Sequence, residues 1–417
     1  MNYGCIGEKL GHSFSAEVHK ALFDYSYELC ELSREQLDSF MREKAFKAIN
    51  VTIPYKELVI PYLDEIDEVA RNIGAVNTVV NKDGHLAGFN TDFYGMKALV
   101  EKNGIEIKNK KVLVLGSGGT SKTASYLALN MGASSVISVS RSGKGECITY
   151  EEALKKHRDT DILINTTPCG MYPNTLSSAV NVADFPRLCG VVDAVYNPLR
   201  TKLICDAQMR GISAVGGLYM LVAQAAYAAE LFVDKKVQKQ TVDKIFYDIQ
   251  KDKRNIVLIG MPGSGKSTVG KQLAELLGMD FKDSDEEFLK EYGSSPADMI
   301  KKEGEAAFRE AEAKIIHRLS YCKHTVLATG GGSVLREDNR YNLKANGRVY
   351  FIDRELKQLT EAYKRPLSSN YEALKSRYEE RYPIYCSVCD KHIYSDNIIE
   401  NTVNLIKEDI TNENIGN

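Results

Sequence analysis

The sequence predicts an α/β protein: parallel sheets with helices on both faces, laid out as two successive parts. Three observations predict it. Short apolar runs ending in Gly or turn residues alternate with helix-compatible stretches, as in KVLVLG (Lys111–Gly116), SVISVSR (Ser135–Arg141), DILINTT (Asp161–Thr167) and VVDAVY (Val191–Tyr196). That alternation is the pattern of strands buried on both faces and joined by crossover helices. The same alternation restarts at NIVLIG, directly after the charge-rich QKDKRN (Gln250–Asn255). Finally, 417 residues are too many for one ordinary core and match two or three domains of about 150 residues each.

Composition narrows the classes. Lys plus Arg is 54 and Asp plus Glu is 56, a net charge of −2, which argues against a bulk basic nucleic-acid binder and an acidic tail. The most apolar stretch, Leu218–Val233, contains Gln224 and Glu230 and is shorter than the roughly 20 residues of a spanning helix. The N-terminus MNYGCIGEKLGHSF has no basic segment followed by an apolar run, so no export signal is expected. Nine scattered cysteines, an odd number, predict reduced thiols in a cytoplasm. No nucleic-acid or membrane partner is expected. Cys386 and Cys389 form an isolated C-x-x-C, at most half of a four-cysteine zinc site, in what reads as the last helix.

In chain order, strands are expected at Tyr3–Ile6 and Ala48–Ile53. The loop Gly11-His-Ser13-Phe-Ser15 places two serines in alternate positions, able to point together at a carboxylate. In Asn50-Val-Thr52-Ile-Pro54-Tyr-Lys56, Pro54 stiffens the turn and aims Lys56. Asp92 supplies a carboxylate, and a Lys–Asp pair beside a carbonyl is a proton-transfer device. Strand Lys111–Leu115 runs into Gly116-Ser117-Gly118-Gly119-Thr120-Ser121 and a helix. After a strand, before a helix and inside a βαβ unit, this glycine loop reads as a dinucleotide site. The next strand ends at Ser140-Arg141-Ser142, with no acidic residue to hold a ribose 2′-hydroxyl. A guanidinium there suits a 2′-phosphate, so NADP is favoured over NAD. Leu218–Ile249 reads as one or two helices.

Together these segments resemble shikimate dehydrogenase. The matching motifs are G-H-S-x-S at Gly11–Ser15, N-V-T-x-P-[FY]-K at Asn50–Lys56, A-V-N-T at Ala75–Thr78, G-x-N-T-D at Gly88–Asp92 and the glycine loop. Later ones are N-T-T-P-x-G-M at Asn165–Met171, D-x-x-Y-x-P at Asp193–Pro198 and G-x-x-M-L-x-x-Q at Gly217–Gln224. The resemblance covers about 1–250. It implies a substrate lobe (about 1–92 plus 217–250), a Rossmann NADP lobe (about 93–216), and reduction of 3-dehydroshikimate to shikimate by NADPH. Carried over by position, Lys56 and Asp92 are the catalytic pair, with Lys56 the general acid. Ser13 and Ser15 take the carboxylate, while Thr52, Asn77, Asn90, Tyr196 and Gln224 complete the substrate site. Gly116 to Ser121 and Ser140 to Ser142 hold the cofactor phosphates, and Asn165, Thr166, Val195, Gly217 and Met220 line the nicotinamide side. The chain departs from the family at Ala16, where Pro is usual, and at Ser140-Arg141-Ser142, where N-R-T is commoner.

The second part opens with Gly260-Met-Pro262-Gly263-Ser264-Gly265-Lys266-Ser267, directly after an apolar strand and before a helical pattern. In such a P-loop, backbone N–H groups cradle phosphates, the Lys reaches the β- and γ-phosphates and the Ser ligates Mg²⁺. Asp283 and Asp285 lie two apart, and on a strand end they share a face. Arg309, in Gly304-Glu-x-x-Phe-Arg309-x-x-Glu312, offers a fork for a carboxylate. Gly330, Gly331 and Gly332 at a strand end permit close backbone approach to a ligand. Further strands are expected at Thr325–Thr329, Arg348–Asp353 and His392–Asp396, with a frayed tail after Asp409.

This part resembles the shikimate kinase family, through the P-loop, D-[ST]-D, G-E-x-x-F-R-x-x-E, the glycine turn, Arg365-Pro-Leu and Arg381-Tyr-Pro-Ile-Tyr385. The resemblance implies a nucleoside-monophosphate-kinase-like domain over 256–417, after a linker at 251–255. It implies transfer of the ATP γ-phosphoryl group to the 3-hydroxyl of shikimate. By position, Asp285 orients and deprotonates that hydroxyl, and Arg309, Arg381 and Gly330 to Gly332 hold shikimate. Pro262 to Thr268 bind ATP, with Lys266 and the lid residue Arg365 neutralising transferring charge. Ser267 ligates Mg²⁺ and Asp283 supports it through water. Ser284 stands where Thr is commoner, RPLSS replaces R-P-L-L, and a second lid arginine is not evident.

The implied product of the first part is the implied substrate of the second, so the chain reads as one cytoplasmic, bifunctional enzyme of aromatic biosynthesis. Two rivals stand beside this reading. One is an NAD-dependent quinate/shikimate dehydrogenase fused to the kinase, which Arg141 and the paired serines weigh against. The other is a degenerate, regulatory half, which the intact Lys56, Asp92, Lys266, Ser267 and Asp285 weigh against.

Overall fold

The computed structural model describes residues 1–10, 14–362, 367–396 and 398–415. The chain divides into two compact units, Met1–Asn197 with Leu203–Asp248, and Pro198–Lys202 with Ile249–Asn417. Among the described residues, no helix is long and apolar enough to cross a membrane.

The first unit holds two sheets. Strands β1 (Tyr3–Gly7), β2 (Tyr27–Glu31), β3 (Ala48–Val51), β4 (Glu65–Ile66), β5 (Thr78–Lys82) and β6 (His85–Phe89) pair in the order β2-β1-β3-β5-β6-β4. This sheet is mixed, because β5 runs antiparallel to both β3 and β6. The β5–β6 hairpin turns on Asp83-Gly84, with φ of 53° and 91°, the left-handed pair that Asp-Gly favours in a two-residue hairpin loop. Strands β7 (Lys111–Leu115), β8 (Ser135–Val139), β9 (Ile162–Asn165), β10 (Gly190–Asp193) and β11 (Ser213–Val215) form a parallel sheet in the order β11-β10-β9-β7-β8. Chain order reverses at β7, so the glycine loop leaves the sheet where a ligand crevice is expected. The helices Thr91–Lys102 and Leu218–Val233 pack closely: a Cβ at Gly95 would lie 2.6 Å from the Met220 carbonyl oxygen and 2.8 Å from Gln224 Cβ. That approach is open to glycine only.

The second unit is built on β12 (Asn255–Ile259), β13 (Asp280–Asp283), β14 (Thr325–Ala328), β15 (Gly347–Asp353) and β16 (Lys391–Tyr394), all parallel in the order β13-β14-β12-β15-β16. Both faces are covered. Val257 and Ile259 enter one apolar cluster, while Ile256 and Leu258 enter the other, as the two-residue period of a strand requires. Chain order reverses at β12, which carries the P-loop at its carboxyl end.

Four sequence expectations are corrected. The segment 251–255 is not a free linker: helix Lys239–Lys253 runs through it and β12 begins at Asn255, leaving only Arg254 between. Lys251, Asp252 and Lys253 are compatible with continued helix, which their charge obscured. The tail is helical through Ile415, because Val403 and Ile406, flanked by Ile399 and Ile410, make an apolar stripe buried on the sheet. Asp285 does not share a strand with Asp283. It lies in the first turn of helix Ser284–Tyr292, which Asp283 caps by accepting the Asp285 N–H at 2.9 Å. Cys386 lies in helix Leu367–Val388, not the last helix, and Cys389 follows its end.

Candidate active sites

In the first unit the candidate site is built where β3, β6 and two helix starts meet. Lys56 forms an ion pair with Asp92, whose side chain is nearly enclosed. The other Asp92 oxygen accepts from Asn77 Nδ2 at 2.8 Å, and Asn77 Oδ1 accepts the Thr91 N–H at 2.6 Å. Thr120 Oγ1 lies 3.4 Å from Lys56 Nζ, so the glycine loop reaches the ion pair. Gln224 is on the helix that packs against the Asp92 helix, and its buried Oε1 has no partner among the described residues. Thr52 is half-buried, while Ser15 opens helix Ser15–Leu22. Ser13 lies outside the described residues.

Several predicted site residues are occupied by other partners. Asn90 is wholly buried. Its Oδ1 caps helix Thr91–Lys102 through the Phe93 N–H at 3.1 Å, and its Nδ2 donates to Ala75 O at 2.9 Å and Thr123 Oγ1 at 3.2 Å. Asn165 is likewise engaged: Nδ2 donates to Asp193 Oδ1 at 2.9 Å, and Oδ1 accepts from Thr167 N at 3.1 Å and Thr167 Oγ1 at 2.7 Å. Thr166 Oγ1 donates to Leu115 O at 2.7 Å. Ser121 Oγ closes the glycine loop onto Gly116 O at 2.8 Å, and Ser140 Oγ accepts the Gly143 N–H at 3.1 Å. Tyr196 packs on Phe14 with ring centroids 5.3 Å apart. Val195 and Met220 are buried, and the Gly217 N–H donates to Val195 O at 2.9 Å. Ser117, Gly118, Arg141 and Ser142 are exposed.

The glycine loop fits a dinucleotide. Gly118 caps helix Gly119–Asn130 with no side chain on the helix end, and a Cβ there would enter open space. First-turn N–H groups facing an open cradle suit a pyrophosphate.

In the second unit, three carboxyl ends of strands converge. Lys266 is buried and donates to Gly260 O at 3.0 Å and Met261 O at 2.8 Å. Its desolvation lowers its pKa to about 8. Ser264 Oγ is buried in the P-loop with no partner among the described residues, which fits a loop made for phosphate. Ser267 Oγ donates to Asp283 Oδ2 at 2.6 Å; this oxygen pair suits Mg²⁺, which takes its remaining ligands from phosphates and water. Thr268 is exposed. Asp285 has its pKa raised to about 6, first by desolvation, then by the neighbouring Asp283 and Glu312 charges, with Lys266 opposing.

The glycine turn touches three of these groups at once. A Cβ on Gly330 would lie 2.8 Å from Asp285 Oδ1, one on Gly331 2.4 Å from Pro262 Cδ, and one on Gly332 2.3 Å from an Arg309 guanidinium nitrogen. Arg309 is held by Glu312 at 2.7 Å and Glu305 at 3.1 Å, and buried Glu312 also accepts from Ser333 Oγ at 2.7 Å. Arg381 is buried, and its Nε has no partner among the described residues. Arg365 lies outside the described residues. The sequence reading assigned no role to Thr91, Thr123 or Arg354, whose guanidinium donates to Gly263 O at 2.9 Å. For Arg354 no sequence signal was available, since one arginine after a strand is ordinary.

Comparison with known proteins agrees with both halves. Residues 262–411 match the model of the shikimate kinase family, and residues 5–79 match the shikimate dehydrogenase substrate binding domain. An NADP(+) shikimate dehydrogenase of Clostridium perfringens is 38% identical over 272 residues, which are 60% of this chain and 98% of that protein. The crystal structure of a chorismate mutase/shikimate 5-dehydrogenase fusion from Clostridium acetobutylicum superposes with a TM-score of 0.55 at 40% identity, covering 59% of this chain and 96% of that one. A Thermus thermophilus shikimate 5-dehydrogenase, solved with NADP(H) and shikimate, gives 0.54 at 28% identity, covering 60% and 99%. The protein is thus a bifunctional enzyme, using NADP for one reaction and ATP with Mg²⁺ for the other. The chain belongs to the shikimate dehydrogenase family and carries a shikimate kinase domain fused behind it.

Proposed function

We propose that Lys56 and Asp92 form the proton-transfer pair that turns 3-dehydroshikimate into shikimate. The observation that carries this reading is their enclosed ion pair, with the second Asp92 oxygen anchored by Asn77. NADPH, when bound, supplies the hydride to the ketone carbon. Lys56 Nζ delivers the proton to the ketone oxygen, and Asp92 holds the ammonium in line and takes part in restoring its proton. Ser13, Ser15, Thr52, Tyr196 and Gln224 hold the ring, and Gln224 Oε1, without a partner among the described residues, is suited to accept from a ring hydroxyl. Asn90 and Asn165 act as positioning residues, because their amides are already engaged. Gly116 to Ser121 cradle the pyrophosphate, Arg141 with Ser140 and Ser142 takes the 2′-phosphate, and Thr166, Val195, Gly217 and Met220 border the nicotinamide.

In the kinase part, Asp285 orients the 3-hydroxyl and accepts its proton, while Arg309, Arg381 and Gly330 to Gly332 fix shikimate. Pro262 to Thr268 hold the triphosphate, and Lys266 with Arg365 balances the charge that develops during transfer. Ser267, with Asp283 through water, holds Mg²⁺. We place both reactions in the cytoplasm, a reading supported by nine scattered cysteines, which fit reduced thiols.

The test is to give the purified chain 3-dehydroshikimate and NADPH, then Mg-ATP, following NADPH absorbance and product mass, with Lys56→Ala and Asp285→Asn alongside. Shikimate followed by shikimate 3-phosphate is expected. Lys56→Ala should make no shikimate yet still phosphorylate shikimate supplied directly, whereas Asp285→Asn should make shikimate and stop there. Full activity in either variant overturns that residue's assignment.

A further inference from the structure

Tyr385 closes the Arg-Tyr-Pro-Ile-Tyr run and has no part in the chemistry above. Its ring is buried and stacks on Phe351, with centroids 4.8 Å apart and planes inclined at 26°. Its hydroxyl donates to the Gly331 carbonyl oxygen, and Met261 Sδ lies 3.9 Å away. Burial pushes the phenol up to about 12, so it remains a donor throughout the working pH range. Tyr385 lies one helical turn beyond Arg381 on helix Leu367–Val388, and i, i+4 neighbours share a face.

The Gly331–Gly332 peptide is planar and trans, so its N–H points away from its C=O. A hydroxyl that fixes the Gly331 carbonyl therefore also fixes the direction of the Gly332 N–H. That N–H has no protein acceptor among the described residues. Gly332 itself lies against the Arg309 guanidinium. With no Cβ at either position, side-chain sterics do little to hold the peptide plane.

We propose that Tyr385 is a positioning residue of the kinase site: its hydroxyl sets the Gly331–Gly332 peptide so that the Gly332 N–H is presented to shikimate on the face opposite Tyr385. The helix that supplies the cation Arg381 thus also orients a neutral donor. This inference rests on the reading of Arg309 and the glycine turn as the shikimate site.

The test uses the full chain with Tyr385→Phe and, separately, Arg309→Ala. Losing one well-placed hydrogen bond to a buried carbonyl should raise KM for shikimate about 5- to 30-fold in Tyr385→Phe. KM for ATP should stay within about twofold, because the P-loop contacts remain. NADPH oxidation should be unchanged and the melting temperature should fall by no more than a few degrees, the cost of one buried hydrogen bond, whereas a packing role would weaken both substrates together. Two results overturn the inference: a shikimate KM within about twofold of the parent, or a joint loss of affinity for both substrates with a lower melting temperature. If Arg309→Ala raises the shikimate KM while Tyr385→Phe does not, only the Tyr385 inference fails. If neither raises it, the shikimate site itself is misassigned and the inference falls with it.

Discussion

At the scale of single residues, the carboxylate of Asp285 shows how surroundings set a role. Desolvation and two neighbouring carboxylates raise it to about 6, toward the range where a base works at neutral pH. In its proposed role as the base, Asp285 must be ionised. The kinase rate should therefore fall about tenfold per pH unit below about 6 and level off above it, as read from kcat against pH. Asp285→Asn should lower kcat by about 10²- to 10⁴-fold and remove that limb of the profile. The stability effect runs the other way. A carboxylate whose folded pKa is raised favours the folded state only while protonated, so its contribution weakens as pH rises from about 4 to about 6. At neutral pH, Asp285→Asn should therefore melt at a higher temperature than the parent, with the gap closing near pH 4. Arg141 gives a second residue-level prediction. If it reads the 2′-phosphate, Arg141→Ala should raise KM for NADPH about tenfold or more and leave KM for NADH nearly unchanged.

At the scale of elements, strands buried on both faces were the most legible features of the sequence. KVLVL, SVISV, ILIN and NIVLI appear as strands because their apolar runs are flanked by turn residues. The two-stranded pair β5–β6 escaped that reading although Asp83-Gly84 carries a hairpin signal, since attention to apolar runs passed over Thr78–Lys82 and its half-exposed neighbour. Charge misled twice, at 251–255 and in the tail, where helical periodicity outweighs polar composition. The junction of helices Thr91–Lys102 and Leu218–Val233 supports a prediction at this scale. Gly95→Val should cost roughly 1–3 kcal/mol by forcing the helices apart, and should move Gln224 away from Asp92. Thermal melting reports the first effect, and a lower kcat/KM for 3-dehydroshikimate with intact kinase activity reports the second. Asn90→Ala should cost a similar amount, roughly 2 kcal/mol, because it strips the Phe93 N–H and Ala75 O of their side-chain partner and removes one of the two hydrogen bonds of the Thr123 hydroxyl.

At the scale of the whole molecule, the two chemistries draw on separate sets of residues in separate sheets. Point variants should separate them: Lys56→Ala should leave kinase kcat within about twofold, and Lys266→Ala should leave NADPH oxidation within about twofold, since sites that share no residues or partners behave independently. Assaying both reactions on each variant checks this, and a shared loss would mean the two parts depend on one another for folding.

The sequence by itself determined the two families, the NADP and ATP requirements, the positions of the glycine loop and P-loop, and the Lys56–Asp92 partnership. These rest on short motifs whose chemistry depends on residue type and spacing, both of which are visible in one dimension. Tertiary structure decided which polar side chains are free. Asn90 and Gln224 are both amides in matching motifs, yet one is used up as a helix cap and the other has a buried oxygen without a partner among the described residues. It also decided that Asp285 sits on a helix beside Glu312 and Gly330, that Arg309 is braced by two glutamates, and that Tyr385 holds the glycine turn. Hydrogen-bond partners and desolvation depend on which distant segments fold together, and no local pattern records that.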